Sequence, residues 1–404
     1  MEGPIIRTTS ALRPRAPAWC AAAILVVAAV NVEAAQWTVV PAVDFGAVRD
    51  SNLRLTTGPH DSTTGYIAAA RLDVTRETEV SQAELNGFVA HTRYSGDEFE
   101  DKTDYGLRLD AAHRTSERGT LGLDVRYRRE ALFETVILAP EDVGDTRDID
   151  IGLSAETVVR RNYRVLQPWW RWMLTERSGV ELRYRLTDVS FSDRPQGSDL
   201  LDYDENLISA IYSRQLSPRD ELLVTANASR YRPDDTDAEA ETLQLLIGVA
   251  RTFSETLRGS ISVGPGRTTE REGGIEEDSS GLVIDARVRQ RAETSTLDGV
   301  VSRTVAPSGI GRVLRTDQLR VLWNRRLGPT VEFVLEARLL RTRVVEGVDP
   351  SADRRYYEIA PRLSWQWLED VAIVGTYRYR RQRFDVDADT ADSSAVFLGL
   401  SYRL

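Results

Sequence analysis

The sequence predicts an all-β protein built as one closed, antiparallel, up-and-down transmembrane β-barrel of about 18 strands. Three observations predict it. After residue 35, apolar residues recur at every second position, the period of strands and not of helices. Short and long connections alternate between these segments. The last nine residues, VFLGLSYRL (396–404), keep the full alternation where a soluble chain normally frays.

The first element is a leader. Arg7, Arg13 and Arg15 form a basic region, AAAILVVAAV (21–30) an apolar stretch too short to span a bilayer as a helix, and VEA (32–34) a small-residue cleavage site. Residues 1–34 therefore read as a signal peptide and 35–404 as the barrel. Cys20, the single cysteine, precedes the apolar stretch, so a lipid anchor is not expected and the exported chain has no disulfide. Its stability must come from a continuous backbone hydrogen-bond network. No other apolar run is long enough for a membrane helix, and 28% of the 404 residues are charged. The formal net charge is −10, and no nucleic-acid partner is expected.

The strands follow. QWTVVPAVDF (36–45) is the first. TLGLDVRYRR puts Leu121, Leu123, Val125 and Tyr127 on one face and Asp124, Arg126 and Arg128 on the other. GVELRYRL (179–186), LVIDARVR (282–289) and VEFVLEARL (331–339) repeat the arrangement. Tight turns are expected at TRET (75–78), SERG (116–119), TERSG (175–179), SPRD (217–220), SETL (254–257), AETS (292–295), LGPT (327–330) and LED (368–370). Between them lie longer acidic loops: TTGPHDSTTG (56–65), GDEFEDKT (96–103), a long one over 138–158, EGGIEEDSSG (272–281), EGVDPSAD (346–353) and DVDADTAD (385–392). Strict alternation of this kind is an up-and-down meander. A propeller would need four short strands per repeat, where this chain shows two long ones.

Aromatic residues mark two levels. Trp170, Trp172, Trp365 and Trp367 sit near tight turns, Tyr94, Tyr357 and Tyr379 near long loops, as in the girdles at the two bilayer interfaces. A closed barrel has no edge, so the terminal strand, 396–402, is expected to pair with the first, over 37–43.

VRDSNLRLT (48–56), TRETEVSQAELNGFVAHTRYSGD (75–97) and DVRYRR (124–129) resemble Gram-negative outer-membrane β-barrel proteins associated with exopolysaccharide and exosortase systems. The ending resembles the C-terminal signal read by the barrel-assembly machinery, with Leu404 where Phe or Trp is usual. The resemblance implies export to the outer membrane of a Gram-negative bacterium and an envelope role linked to surface polysaccharide. It supplies no catalytic residues.

Charge on a membrane strand belongs on the lumen face. The lumen-lining candidates are Arg126, Arg128, Arg183, Arg185, Arg287, Arg289, Arg338, Arg378 and Arg380, with Arg108, Arg164, Arg171, Arg320 and Arg362 on the same list. Asp110, Asp124, Glu181, Asp285, Glu332, Glu336 and Glu358 interleave with them. Two readings stay open: arginine–carboxylate ladders that brace the wall, or an arginine excess lining a wet pore that favours anions.

Little suggests catalysis. The three histidines are His60, His91 and His113, and only His60 has neighbours, Asp61 and Ser62, of the types a nucleophilic triad uses. Asp385, Asp387, Asp389 and Asp392 are spaced loosely like calcium ligands but lack the glycine and distal glutamate of an EF-hand loop. No metal or cofactor is expected. The expected function is a non-enzymatic passive channel or envelope component, with lipid, lipopolysaccharide and the assembly machinery as partners and polysaccharide or small anions as candidate solutes. The alternatives are an outer-membrane rim hydrolase and a secreted, soluble all-β binding protein.

Overall fold

The structure is a computed structural model that describes residues 35–95, 99–131, 159–194, 200–234, 236–309, 311–344, 353–384 and 390–404. The leader, the 138–158 loop, residues 346–352 and Asp385, Asp387 and Asp389 lie outside the described residues.

Eighteen strands account for nearly everything described. They are β1 Gln36–Asp50, β2 Thr63–Glu77, β3 Ser81–Tyr94, β4 Lys102–Arg114, β5 Gly119–Ala131, β6 Arg160–Thr175, β7 Ser178–Ser192, β8 Tyr203–Gln215 and β9 Asp220–Pro233. Then come β10 Glu239–Thr252, β11 Leu257–Glu272, β12 Ile275–Arg291, β13 Ser295–Pro307, β14 Val313–Arg326, β15 Val331–Val344, β16 Arg354–Gln366, β17 Val371–Phe384 and β18 Thr390–Arg403. Each is antiparallel to its sequence neighbours, and β1 pairs with β18, so the sheet closes on itself. The fold is the expected barrel.

Closure is staggered. Val43 faces Tyr402 and Asp50 faces Ala395, so β18 pairs with residues 42–50 and not with 37–43 as expected. The start of β1 runs past the end of β18, where Leu404 N donates to Pro41 O at 3.0 Å. Strands must tilt to close a barrel, and tilt shifts every register along the seam.

Alternation sorts the side chains into an apolar outside and a polar inside. On β10, Leu245 and Ile247 are 49% and 59% exposed. Asp50, Thr342 and Ser393 on the opposite face are at most 1% exposed. A water-soluble sheet would bury the apolar set. An outer belt of exposed leucine, isoleucine and valine is what a hydrocarbon solvent covers. Trp170 and Trp172 stack 5.8 Å apart near a tight turn, and Tyr357 and Tyr379 lie 6.2 Å apart on the same outer face toward the long connections.

Three local expectations are corrected. Tyr94 points inward and is buried, packing on Phe99 at 5.7 Å instead of joining the girdle. Arg164 points outward, 2.7 Å from Asp188 and over the Tyr127 ring, because the inward positions of β6 there belong to Tyr163 and Val165. EGGIEEDSSG is mostly strand: β11 and β12 continue to a two-residue turn at Gly273 and Gly274, both with positive φ (58° and 81°). Only glycine enters that region freely, and such a turn matches the twist of a hairpin.

Candidate functional site

Strand period places all nine candidate arginines on the inner face, alternating with outward residues that are mostly apolar, Arg129 and Arg381 being charged exceptions. The structure shows what each one meets. Arg185 Nε donates to Gln167 Oε1 at 2.7 Å, and Gln167 Nε2 to Asp124 Oδ2 at 3.1 Å. Arg126 stands opposite Arg108, which donates to Asp110 at 2.5 Å. Arg128 lies 3.8 Å from Glu130, which also receives Arg161. Arg183 and Arg171 converge on Glu181. Arg287 bonds Asp285 at 3.1 Å, and Arg289 pairs with Asp298. Arg320 and Arg338 share Glu336 at 2.9 and 3.0 Å. Arg378 and Arg380 share Asp50 at 3.5 and 2.9 Å. Arg161–Glu130, Arg171–Glu181, Arg289–Asp298, Arg320–Glu336 and the Asp50 pairs join different strands, and the other ion pairs lie two residues apart on one strand.

Exposure separates two sets within this list. The side chains of Arg320, Arg338, Arg378 and Arg380 are 5–8% exposed, so these groups brace the wall along β14–β18. Those of Arg183, Arg287 and Arg289 are 42%, 51% and 53% exposed inside the barrel. Arginines of one wall thus divide into a buried, bracing set on β14–β17 and a set on β7 and β12 that stays exposed on the inner face.

Two segments fold inward, and neither was expected to do so. Residues 51–55, just after β1, lie against the inner face of β17 and β18. Asp50 accepts from Ser393 Oγ at 2.5 Å and from Asn52 N at 2.9 Å. Arg380 donates to the carbonyls of Asn52 and Leu53 at 3.4 and 3.2 Å, and Gln382 to that of Leu55 at 2.6 Å. The Asn52 side chain closes the turn by donating to Thr56 O and accepting from Thr56 N. Leu55 has a φ of 53°, a costly conformation for a branched side chain, held here by these contacts. Leu53 is buried with Tyr94, Phe99 and Ala131, so the strap reaches toward β3 and β5.

The second segment connects β13 and β14. Its Ser308 and Gly309 carbonyls accept from Tyr231 Oη and Leu201 N, both at 2.7 Å. It therefore reaches the β8–β9 side across the position of β10–β12. Tyr163, Val189, Phe191, Tyr203 and Tyr231 form an apolar cluster around it on the inner wall. The signal for the first segment was present in DSN (50–52), where the Asp50 and Asn52 side chains bond nearby backbone. For the second, no local signal distinguishes Ser308 from any polar loop residue.

The histidines do not converge. His60 Nδ1 bonds Gly58 O at 3.0 Å, and His91 meets Thr103 Oγ1 at 3.0 Å. His113 Nδ1 meets Ser81 Oγ at 2.7 Å beside a tight turn, and no carboxylate hydrogen-bonds its ring among the described residues. Among the described residues no cluster of three metal-ligating side chains occurs.

No family model matches the chain, and no curated protein matches it significantly. Solved structures that it is similar to include Pseudomonas aeruginosa OpdO, at 13% identity and a TM-score of 0.46, covering 91% of this chain and 97% of that one. Acinetobacter baumannii OccAB4 gives 10% identity and 0.46, with 92% and 98% covered. A BenF-like porin from Pseudomonas fluorescens Pf-5 gives 11% and 0.46, with 92% and 99% covered. No site residue is transferred from them.

Proposed function

We propose that this chain is a passive, non-enzymatic channel of a Gram-negative outer membrane, exported by the leader at residues 1–34, with a modest preference for anionic solutes. One observation carries the reading: Arg183, Arg287 and Arg289 keep about half of their side chains exposed inside the barrel although each is beside a carboxylate. A wall built only for bracing would cover them, as it covers Arg338 and Arg378. The carboxylates neutralise part of the field, so selectivity is weak. Acidic groups of the outer connections act little at depth, because screening takes effect over about 8–10 Å at physiological salt.

The test is reversal potential across a planar bilayer in a salt gradient. Arg287→Glu combined with Arg289→Glu shifts it toward cations. An unchanged potential would remove these arginines from the conducting path, and no conductance from heat-modifiable, folded protein would remove the channel.

The link to surface polysaccharide rests on the resemblance of VRDSNLRLT and its companion segments, and the first of these forms the inward strap. A deletion strain should lose polysaccharide export or retention and regain it with the wild-type gene. Normal polysaccharide in the deletion strain would leave a general porin.

A further inference from the structure

The outer surface carries a second charged feature that the channel does not use. On β9–β12, outward arginines meet outward carboxylates: Arg230 pairs with Glu239, Arg267 bonds Asp278 at 2.5 Å, and Arg271 bonds Glu276 at 2.9 Å. On β13–β17 the pattern changes. Arg303 pairs with Asp317 at 2.5 Å, Asp317 faces Arg341, Arg341 faces Arg355, and Arg355 faces Arg383 in one cross-strand row. Beside it, Arg315 faces Arg343, and Arg381 faces Asp392. Five arginines and one carboxylate thus share this part of the outer face, a local excess of positive charge.

The row rims a groove of about 800 Å³. Its floor is apolar, from Ile284, Val301, Leu319 and Leu339, and its rim is Arg303, Arg341, Arg355, Arg381 and Arg383 with the Tyr357 phenol and the Asp317 carboxylate that Arg303 holds. One end lies where β12 and β13 part. Their pairing stops at Ile284 and Arg303, although both strands continue with other partners. Just below the rim the outer face is the hydrocarbon-facing belt, so the guanidinium groups stand at headgroup level on the long-connection side.

We propose that this groove binds the phosphorylated headgroup of an outer-leaflet glycolipid, with acyl chains along Val301, Leu319 and Leu339 and phosphate across Arg341, Arg355 and Arg383. The assignment rests on the reading of the chain as an outer-membrane barrel with its long connections outward. Charge and shape both favour this occupant. Guanidinium forks bond phosphate oxygens bidentately. A soluble anion would leave the apolar floor unused.

The test uses the full mature chain refolded in zwitterionic detergent and native mass spectrometry. The probes are bis-phosphorylated lipid A, the same lipid without phosphates, phosphatidylglycerol, and inorganic phosphate as competitor. Wild-type protein should retain bis-phosphorylated lipid A at one per barrel, and removing its phosphates should weaken binding on the order of 100-fold. Arg341→Gln with Arg355→Gln and Arg383→Gln should weaken it comparably, whereas Arg267→Gln with Arg271→Gln should not. Equal retention of the dephosphorylated lipid would overturn the proposal with no variant needed. So would equal retention by the triple variant, an equal loss in the control variant, equal binding of phosphatidylglycerol, or displacement by inorganic phosphate. Because binding is read in micelles, it stands or falls apart from conductance.

Discussion

Asp50 receives Arg378, Arg380, Ser393 and its own strap through Asn52. Nothing in the sequence announces this, because Arg380 is 330 residues away and Asp50 reads as one more acid at a strand end. The arginines were legible as inward residues, since period two decides facing. Their partners were not, since partners depend on register across the seam. Asp50→Ala removes one carboxylate from two buried guanidinium groups that Glu358 still attracts, at a cost of up to about 3–5 kcal/mol. It also frees residues 51–55 from the wall. We expect a lower urea midpoint for the refolded barrel and a larger single-channel conductance; unchanged conductance would show that the strap lies off the solute path. Gly122 offers a second residue-level test. The Trp169 indole lies where a Cβ on Gly122 would go, so Gly122→Val forces an inward tryptophan aside at about 1–3 kcal/mol. Thermal loss of the heat-modifiable form reads this, and the same midpoint as wild type would refute the overlap.

Strands were the most legible elements, and the reason is physical. Each one carries an apolar outer face and a polar inner face, so its two faces differ sharply at every step. Legibility fails where that contrast ends. The tip of the β11–β12 hairpin carries Arg267, Arg271, Glu276 and Asp278 on its outer face, with no apolar period to read, and so resembled a loop. Its turn, by contrast, was readable from the adjacent glycines. Gly273→Val with Gly274→Val imposes about 1–2 kcal/mol per residue of left-handed strain at this tip alone. Protease cleavage there should rise while the barrel keeps its heat-modifiable migration. The closing strand should respond differently. Leu400 is half exposed on the outer belt, so Leu400→Asp puts charge into hydrocarbon, at a cost below the ~2–4 kcal/mol of a basic residue. Degraded or periplasmically stranded protein is the expected result, and normal insertion would show that the outward face of β18 is wrongly assigned.

At the scale of the whole molecule, the apolar outside and polar inside follow from one pattern repeated eighteen times. Orientation follows from connection length, since outer-membrane barrels keep short turns on the periplasmic side. The two-residue turn at Gly273 and Gly274 lies at the barrel end that carries the long connections, so an epitope inserted at Gly274 should be labelled on intact cells, and one at Pro218 only after permeabilisation; the reverse pattern would invert the molecule. The seam between β1 and β18 also has a kinetic meaning. Asp50 and Ser393 meet across 343 residues of chain. Hairpins between neighbouring strands can zip locally, but ring closure depends on the most distant contact in the sequence, and such contacts form slowly. Until it forms, the ribbon carries two unsatisfied edges, each able to pair with another chain. The time spent in that open-ribbon state, rather than the strength of any hairpin, is what an assembly catalyst would have to shorten.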